Sequence, residues 1–415
     1  MTESGSSTPE RQNNPTIEAR LWLRALRPIL ARIASGRVIL RLPDGSEQTG
    51  GSGEPVAEID IHDWRTLRRL LLGGELGLAK SYLAGEWRTP DLLKVFQVAQ
   101  ANMAGIRAAV HGTLLSRLIS MTGHRRRANT RRGSRRNIAA HYDLGNGFYE
   151  TWLDPTMTYS SAQFEDGAND LETAQLTKYR SICRLAGIKA GDRVLEIGCG
   201  WGGFADVATR EFGATVEGIT LSKEQLAYAQ ERARRHGFDD RASFHLTDYR
   251  DTTGEYDHIV SIEMFEAVGE ENWPVYFQTV RDRLKPGGAA VVQAITIQDG
   301  IFESYRRRVD FIQKYIFPGG MLPSPQKFRD GVRSAGLAVN AENFFGGSYA
   351  QTLLEWHTRF NDAWEKIAAM PGFDQRFRRM WNFYLLYCTA GFQSGAIDVA
   401  HFRLTKPNQD APAFD

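Results

Sequence analysis

The run Glu196-Ile-Gly-Cys-Gly-Trp-Gly-Gly203 sets an acid two residues before the first of a series of glycines. Gly198, Gly200 and Gly202 let a backbone approach a ligand with no Cβ in the way. The residues before them, Arg193-Val-Leu-Glu-Ile197, read as a short strand, and residues 204–212 read as a helix. A strand that runs through glycines into a helix is a ligand site on an open α/β sheet, and the helix start offers unpaired N–H groups. Nicotinamide enzymes use a similar glycine pattern, so the loop alone does not name its ligand.

Three neighbouring features narrow the choice. Glu196 stands where a carboxylate could meet the ammonium of a methionine moiety. The next strand, residues 215–220, ends in Thr220-Leu-Ser222 rather than in an acid. Glu217 has about the spacing of a ribose acid but lies three residues short of that tip. The strand at 242–247 leads into Asp248-Tyr249, an acid and an aromatic suited to an adenine edge and face. Together these favour S-adenosylmethionine (AdoMet) over a dinucleotide. The competing view makes Glu196 a brace and Tyr249 a core residue.

The elements around the loop must position these groups. Residues 222–235 read as a helix, with Ser222 and Gln225 as a capping box and Gly237 as its stop. Residues 256–263 and 289–297 are further strands, with helical stretches between. This alternation predicts an α/β, doubly wound, mostly parallel sheet. Residues 301–395 add aromatic-rich helices around a short strand near Leu337. Ahead of the sheet, residues 38–42 alternate like a strand, and 67–72 and 92–106 read as helices of a smaller α+β domain. The expected division is a polar tail over 1–15, the small domain over 16–120, an Arg-rich linker over 121–137, the main domain over 138–405 and a tail over 406–415.

The net charge is only +2 over 415 residues, yet residues 124–136 read HRRRANTRRGSRR, with no acid. That is a solvated linker or a grip for phosphates, of nucleic acid or of an anionic membrane surface. Ile17, Leu21, Leu26, Leu30 and Ile33 form an amphipathic basic helix, with Pro28 expected to interrupt it. It packs on its own domain or lies on a bilayer. No apolar run is long enough to span a bilayer, and no signal-peptide pattern opens the chain. Cys183, Cys199 and Cys388 show neither metal spacing nor a disulfide framework, so no metal is expected and a reducing, cytoplasmic compartment fits.

Six segments in fixed order resemble the cyclopropane fatty acid synthase family. They are His141-Tyr-Asp-Leu-Gly-Asn146, Leu153-Asp-Pro-Thr-Met-Thr-Tyr-Ser-Ser161, the glycine loop, Gly218-Ile-Thr-Leu-Ser222, Met264-Phe-Glu-Ala-Val-Gly269 and Tyr315-Ile-Phe-Pro-Gly-Gly-Met-Leu-Pro323. The resemblance covers about residues 137–400 and extends weakly through Leu76-Gly-Leu-Ala-Lys-Ser-Tyr-Leu-Ala-Gly-Glu-Trp87. It implies a seven-stranded Rossmann-like AdoMet methyltransferase sheet with lipid-binding helices. It also implies unsaturated phospholipid acyl chains as acceptor, a cyclopropane product and a place at the inner face of the membrane. Anionic lipid then replaces nucleic acid as the expected partner of the Arg stretch, and a homodimer is compatible. By the same resemblance Tyr159 and Ser160 line AdoMet near the sulfonium. Gly198 and Gly200 hold its methionine end. Thr220, Leu221 and Gln225, with Ser222 among them, hold the ribose region, and Asp248 with Tyr249 the adenine. A bicarbonate ion acts as base beside Glu266, Ile295 and Tyr349.

The chain departs from the family pattern where the base would sit. Ser161 replaces a usual Cys, Gln293 a usual His, Ala267 a usual His, and Glu263 a frequent Gly. An extra acid at 263 would repel an anion or replace it as base. Methyl transfer to an isolated alkene leaves a carbocation, which aromatic faces and carboxylates stabilise. Phe265, Tyr315, Phe317, Tyr349 and Trp381 are candidates, each with core packing as the alternative. Loss of a proton from the added methyl closes a cyclopropane. Loss from a neighbouring carbon after a hydride shift leaves a methyl-branched or methylene chain. Glu266 is the first candidate for the base or its orienter, and Glu263 the second. His141 and Tyr142 either close over AdoMet or form a helix entry. A nucleic-acid methyltransferase and a non-catalytic AdoMet and lipid binder are the remaining readings.

Overall fold

A computed structural model describes residues 17–110, 144–165 and 167–406. The Arg-rich stretch, His141 and Tyr142 lie outside the described residues. The chain divides into two compact units, Met1–Met121 with Gln375–Phe383, and Thr122–Asp374 with Tyr384–Asp415.

In the first unit, α1 (Ile17–Leu30) buries Leu26 and Leu30, and Ile33 follows them inward, while Leu21 stays 58% exposed. Pro28 lies inside α1 only two residues from its end, so little helix remains for it to interrupt. Strands β1 (Gly36–Arg41), β2 (Glu47–Ser52), β3 (Val56–Ile61) and β4 (Trp87–Arg88) form a sheet in the order β2-β1-β3-β4. The helix expected at 67–72 is longer, α2 (Arg65–Leu83), and bends at Gly74, whose φ is +55°. The helix expected over 92–106 divides into α3 (Leu92–Ala101) and α4 (Met103–Val110). Asn102 separates them: its buried amide accepts from the Ala34 and Ser35 N–H groups and donates to the Ser35 and Val98 carbonyls.

In the second unit α5 (Asn146–Tyr149) and α6 (Leu171–Ala186) lead into β5 (Arg193–Ile197), α7 (Gly203–Arg210), β6 (Thr215–Thr220), α8 (Lys223–His236) and β7 (Ala242–Leu246). Then come β8 (Tyr256–Ile262), α9 (Trp273–Arg283), β9 (Leu284–Ile297), α10 (Asp299–Tyr305), α11 (Pro325–Ser334) and β10 (Ala338–Phe344). The chain ends through α12 (Gly346–Asp362), α13 (Trp364–Ala368), α14 (Gln375–Gln393, whose first half counts with the first unit) and β11 (Ile397–Thr405).

The seven strands run in the order β10-β11-β9-β8-β5-β6-β7. Neighbours among β5 to β9 are parallel, and β11 is antiparallel to both β9 and β10. Both faces are covered. Val194 joins a core with Ile182, Phe204 and Val216, and its neighbour Leu195 joins the opposite core with Phe265, Phe277 and Phe328. That is why β5 is buried without alternation from Val194 to Ile197, Glu196 included. The connections leave β5 toward β6 on one side and return at β8 on the other, so the strand order reverses at the end of β5, where such sheets bind ligands.

Candidate active site

The glycine loop occupies that reversal. The Gly198 and Cys199 N–H groups both donate to the Ile219 carbonyl, at 2.9 and 3.0 Å, which ties the loop to β6. Gly198, Gly200 and Gly202 have φ of +86°, +51° and +81°, the left-handed region that favours glycine. A Cβ on Gly200 would meet nothing within 4 Å, whereas on Gly198 it would meet Met264 at 2.9 Å. Trp201 Nε1 donates to Asn146 Oδ1 at 2.8 Å, joining the loop to α5. Glu196 is buried and its Oε2 has no hydrogen-bond partner among the described residues. Burial holds its carboxyl well above the usual range, against the pull of Lys178 and Arg232. Open space beside Gly200, in a loop that follows the orphaned Glu196 oxygen, fits an amino-acid end carrying an ammonium.

The residues expected at the ribose end hold one another. The Ser222 N–H donates to Thr220 Oγ1 at 3.1 Å, the Thr220 hydroxyl to Gln225 Oε1 at 2.9 Å, and the Gln225 N–H to Ser222 Oγ at 3.2 Å. Ser222 therefore caps α8 as expected, but the Gln225 side chain holds Thr220 instead of reaching back to Ser222. Leu221 between them is half-buried. Asp248 is engaged by Arg250 through two bonds of 2.8 and 2.7 Å, a partner the sequence did not suggest. Tyr249 packs edge-on against Tyr276 at 5.5 Å, at the border of the core. Its buried hydroxyl lacks a hydrogen-bond partner among the described residues.

Sequence reasoning passes over Lys178. Helix α6 buries Leu171, Gln175, Lys178 and Ile182 on one face, so two polar residues occupy apolar positions of the helical period. That mismatch is the signal the sequence does carry. Lys178 Nζ donates to Ser160 Oγ at 2.6 Å and to Gln175 Oε1 at 2.7 Å, and Gln175 Nε2 donates to the Ser160 carbonyl at 2.9 Å. Burial pulls the ammonium down to about 7, while Glu263, Asp154 and Glu196 pull it up. The Tyr159 hydroxyl donates to Tyr384 at 2.9 Å, and its ring lies 5.6 Å from Trp152 and 5.2 Å from Trp356.

The two candidate bases have different surroundings. Glu263 follows β8 with φ of +48°, a left-handed conformation that disfavours a residue with a Cβ by about 1–2 kcal/mol. Its Oε1 accepts from the Ser161 N–H at 2.8 Å and from Gln293 Nε2 at 2.7 Å, and its Oε2 accepts from the Tyr349 hydroxyl at 2.6 Å. Burial raises the Glu263 carboxyl, while these three bonds and Lys178 lower it. A carboxylate only accepts, so the Gln293 NH2 must face it. The Gln293 oxygen then accepts from His401 Nε2 at 2.9 Å. His401 is fully buried and held near 3, hence neutral. The Ser161 hydroxyl turns away, to the Ala162 carbonyl.

Glu266 Oε1 accepts from the Ile295 N–H at 2.5 Å, and its Oε2 is shielded from solvent without a hydrogen-bond partner among the described residues. Burial first, then the charge of Glu263, lifts its carboxyl to about 8. Both acids are half-buried as residues. Ser161, Gln293 and Tyr349 are spent on Glu263, and the Ile295 N–H on Glu266. The groups that the resemblance turns toward a bicarbonate ion thus do not fit one: the protein's own carboxylates already occupy their donors.

The aromatic candidates separate. Phe265 is fully buried, stacked on Trp273 at 5.5 Å, and is a core residue. Trp381 is buried on Phe377 and belongs to the first unit. Tyr349 stacks on Phe392 at 4.4 Å. Phe317 reaches both Tyr159 and Tyr384, at 6.4 and 6.2 Å, and follows a π-helical turn, Ile312–Ile316, that carries Tyr315.

Residues 129–402 match the family described as mycolic acid cyclopropane synthetase. Similar proteins include the tuberculostearic acid methyltransferase UfaA1 of Mycobacterium tuberculosis, 38% identical over 390 residues, covering 91% of this chain and 90% of that protein. The cyclopropane-fatty-acyl-phospholipid synthase of Escherichia coli is 36% identical over 353 residues, covering 84% and 87%. Among solved structures, the mycolic acid cyclopropane synthase CmaA1, complexed with SAH and CTAB, matches at a TM-score of 0.62 and 30% identity, covering 66% of this chain and 98% of that one.

Proposed function

The chain belongs to the mycolic acid cyclopropane synthetase family of AdoMet-dependent methyltransferases, and we propose that it adds a one-carbon unit to the double bond of an unsaturated phospholipid acyl chain, closing a cyclopropane ring. The observation that carries this reading is the Glu263 carboxylate, fixed by three donors on a residue that is itself half-buried. When bound, AdoMet would supply an electrophilic methyl to one alkene carbon, its sulfonium leaving as a neutral thioether and the cation remaining on the other carbon. Glu196, Gly198 and Gly200 would hold the methionine end. Thr220, Leu221, Ser222 and Gln225 would flank the ribose, and Asp248 and Tyr249 the adenine. Tyr159, Trp152, Trp356 and Phe317 exclude water and present ring faces to the cation. Glu266, neutral near pH 7, orients the chamber through Ile295.

A second reading, a methyl-branched or methylene product, draws support from the near-equal likeness to one protein named a methyltransferase and another named a synthase. A phospholipid substrate also calls for membrane contact, and no helix among the described residues is long and apolar enough to cross a bilayer. The Arg-rich residues 124–136 and the exposed Leu21 would supply peripheral contact with anionic lipid. Incubation with methyl-labelled AdoMet and phospholipid vesicles tests the function. Label should enter unsaturated but not saturated lipid, and label in neither would defeat the proposal. Flotation should favour anionic over neutral vesicles, and equal binding to both would remove the membrane part.

A further inference from the structure

Glu263 has three unusual properties together. It adopts a backbone conformation that glycine would fill without strain. Its carboxylate collects every donor turned toward it by the segments around Ser161, Gln293 and Tyr349. The Gln293 amide is itself fixed by buried His401, so the pocket is organised to receive a carboxylate in one orientation. From this arrangement we infer that Glu263 is the enzyme's built-in proton acceptor, standing where a bound bicarbonate ion would otherwise serve, so that turnover needs no bicarbonate. The inference rests on the alkene-alkylation reading above.

The step balances within the site. After methyl addition the chain carries a cation next to the newly methylated carbon. Glu263 accepts one proton of the added methyl. The C–H electron pair forms the second C–C bond, which closes the ring and cancels the charge. Ser161 and Gln293 keep Oε1 as an acceptor. The Tyr349 hydroxyl can rotate from donor to acceptor, which leaves Oε2 as the oxygen that takes the proton. The proton then leaves to solvent after product release.

The test uses the full-length protein, methyl-labelled AdoMet and unsaturated phospholipid vesicles, in buffer stripped of carbon dioxide or supplemented with bicarbonate. The unaltered enzyme should turn over equally in both. Glu263→Gly suits the local backbone and opens the pocket. Its rate should fall on the order of a hundredfold or more in stripped buffer and recover in part with bicarbonate. Glu263→Gln, which keeps the pocket filled, should fall as far and not recover. Carbon-13 NMR should detect labelled bicarbonate bound to Glu263→Gly and not to the unaltered protein. An unaltered enzyme that slows without bicarbonate or binds it in this pocket would overturn the inference, as would full activity of Glu263→Gly in stripped buffer. If the unaltered enzyme labels no lipid, the alkylation reading fails first. The binding experiment still decides whether the carboxylate has taken the anion's place.

Discussion

The donor and acceptor halves of the site are assembled in opposite ways. The donor half comes from one stretch, residues 196–249, and much of its order is backbone: glycine turns, N–H groups tied to Ile219 and a capped helix. The acceptor half gathers side chains on Glu263 from 102, 30 and 86 positions away in the sequence. A local, backbone-built site is compatible with many reactions, because it fixes only the donor. In the proposed reaction the distant side chains would choose the acceptor and the fate of its charge, and there the two carboxylates differ: among the described residues Glu263 is satisfied on both oxygens and Glu266 on one.

The largest effect should come from Glu263→Gln. Turnover should drop by on the order of a hundredfold or more, with AdoMet affinity by calorimetry unchanged. A matching loss of AdoMet affinity would break the division between the halves. Gln293→Leu should cost about tenfold and leave His401 without its partner. It removes a bond to the charged carboxylate, so the acid limb of the rate profile should move to higher pH. An unmoved limb would detach Gln293 from the base. On the donor side Gly200→Ala imposes a left-handed alanine, costing about 1 kcal/mol or about fivefold in AdoMet affinity. Turnover at saturating AdoMet should hold.

Glu266→Gln should have the smallest effect on turnover, below about tenfold, and a distinct effect on stability. The Glu266 carboxyl sits at about 8 in the folded chain against an ordinary 4.5. Between those values the folded protein keeps a proton that the unfolded chain releases, so this group lowers stability as pH rises from about 4.5 to about 8 and no further above. The amide removes that slope. The variant's melting temperature should exceed that of the unaltered protein by more at pH 8 than at pH 5. An equal difference at both would show that Glu266 is already ionised.

Legibility in the sequence follows the same divide. Strands β5 and β6 and the Ser222 cap are readable because their signals are local: short segments rich in Val, Leu and Ile, a glycine series, a capping serine. The junction at Asn102 is not, since three of its four side-chain bonds reach residues 34 and 35. Nor is the membership of Gln375–Phe383 in the first unit, where Phe383 meets Tyr82 and Phe96. Glu263, Gln293, Ser161 and Tyr349 stand out one by one as departures from, or matches to, a family pattern. Their convergence on one carboxylate depends on register between β8, β9 and α12, which no local pattern encodes. Lys178 shows as a polar residue on an apolar face, without its partners.

The most direct test of the account is the proton NMR spectrum of fatty acids from a host that lacks such an enzyme and expresses this chain. The account predicts upfield cyclopropane signals with the unaltered protein and their absence with Glu263→Gln. Ring signals of equal strength from the variant, or unmodified fatty acids from the unaltered protein, would contradict it.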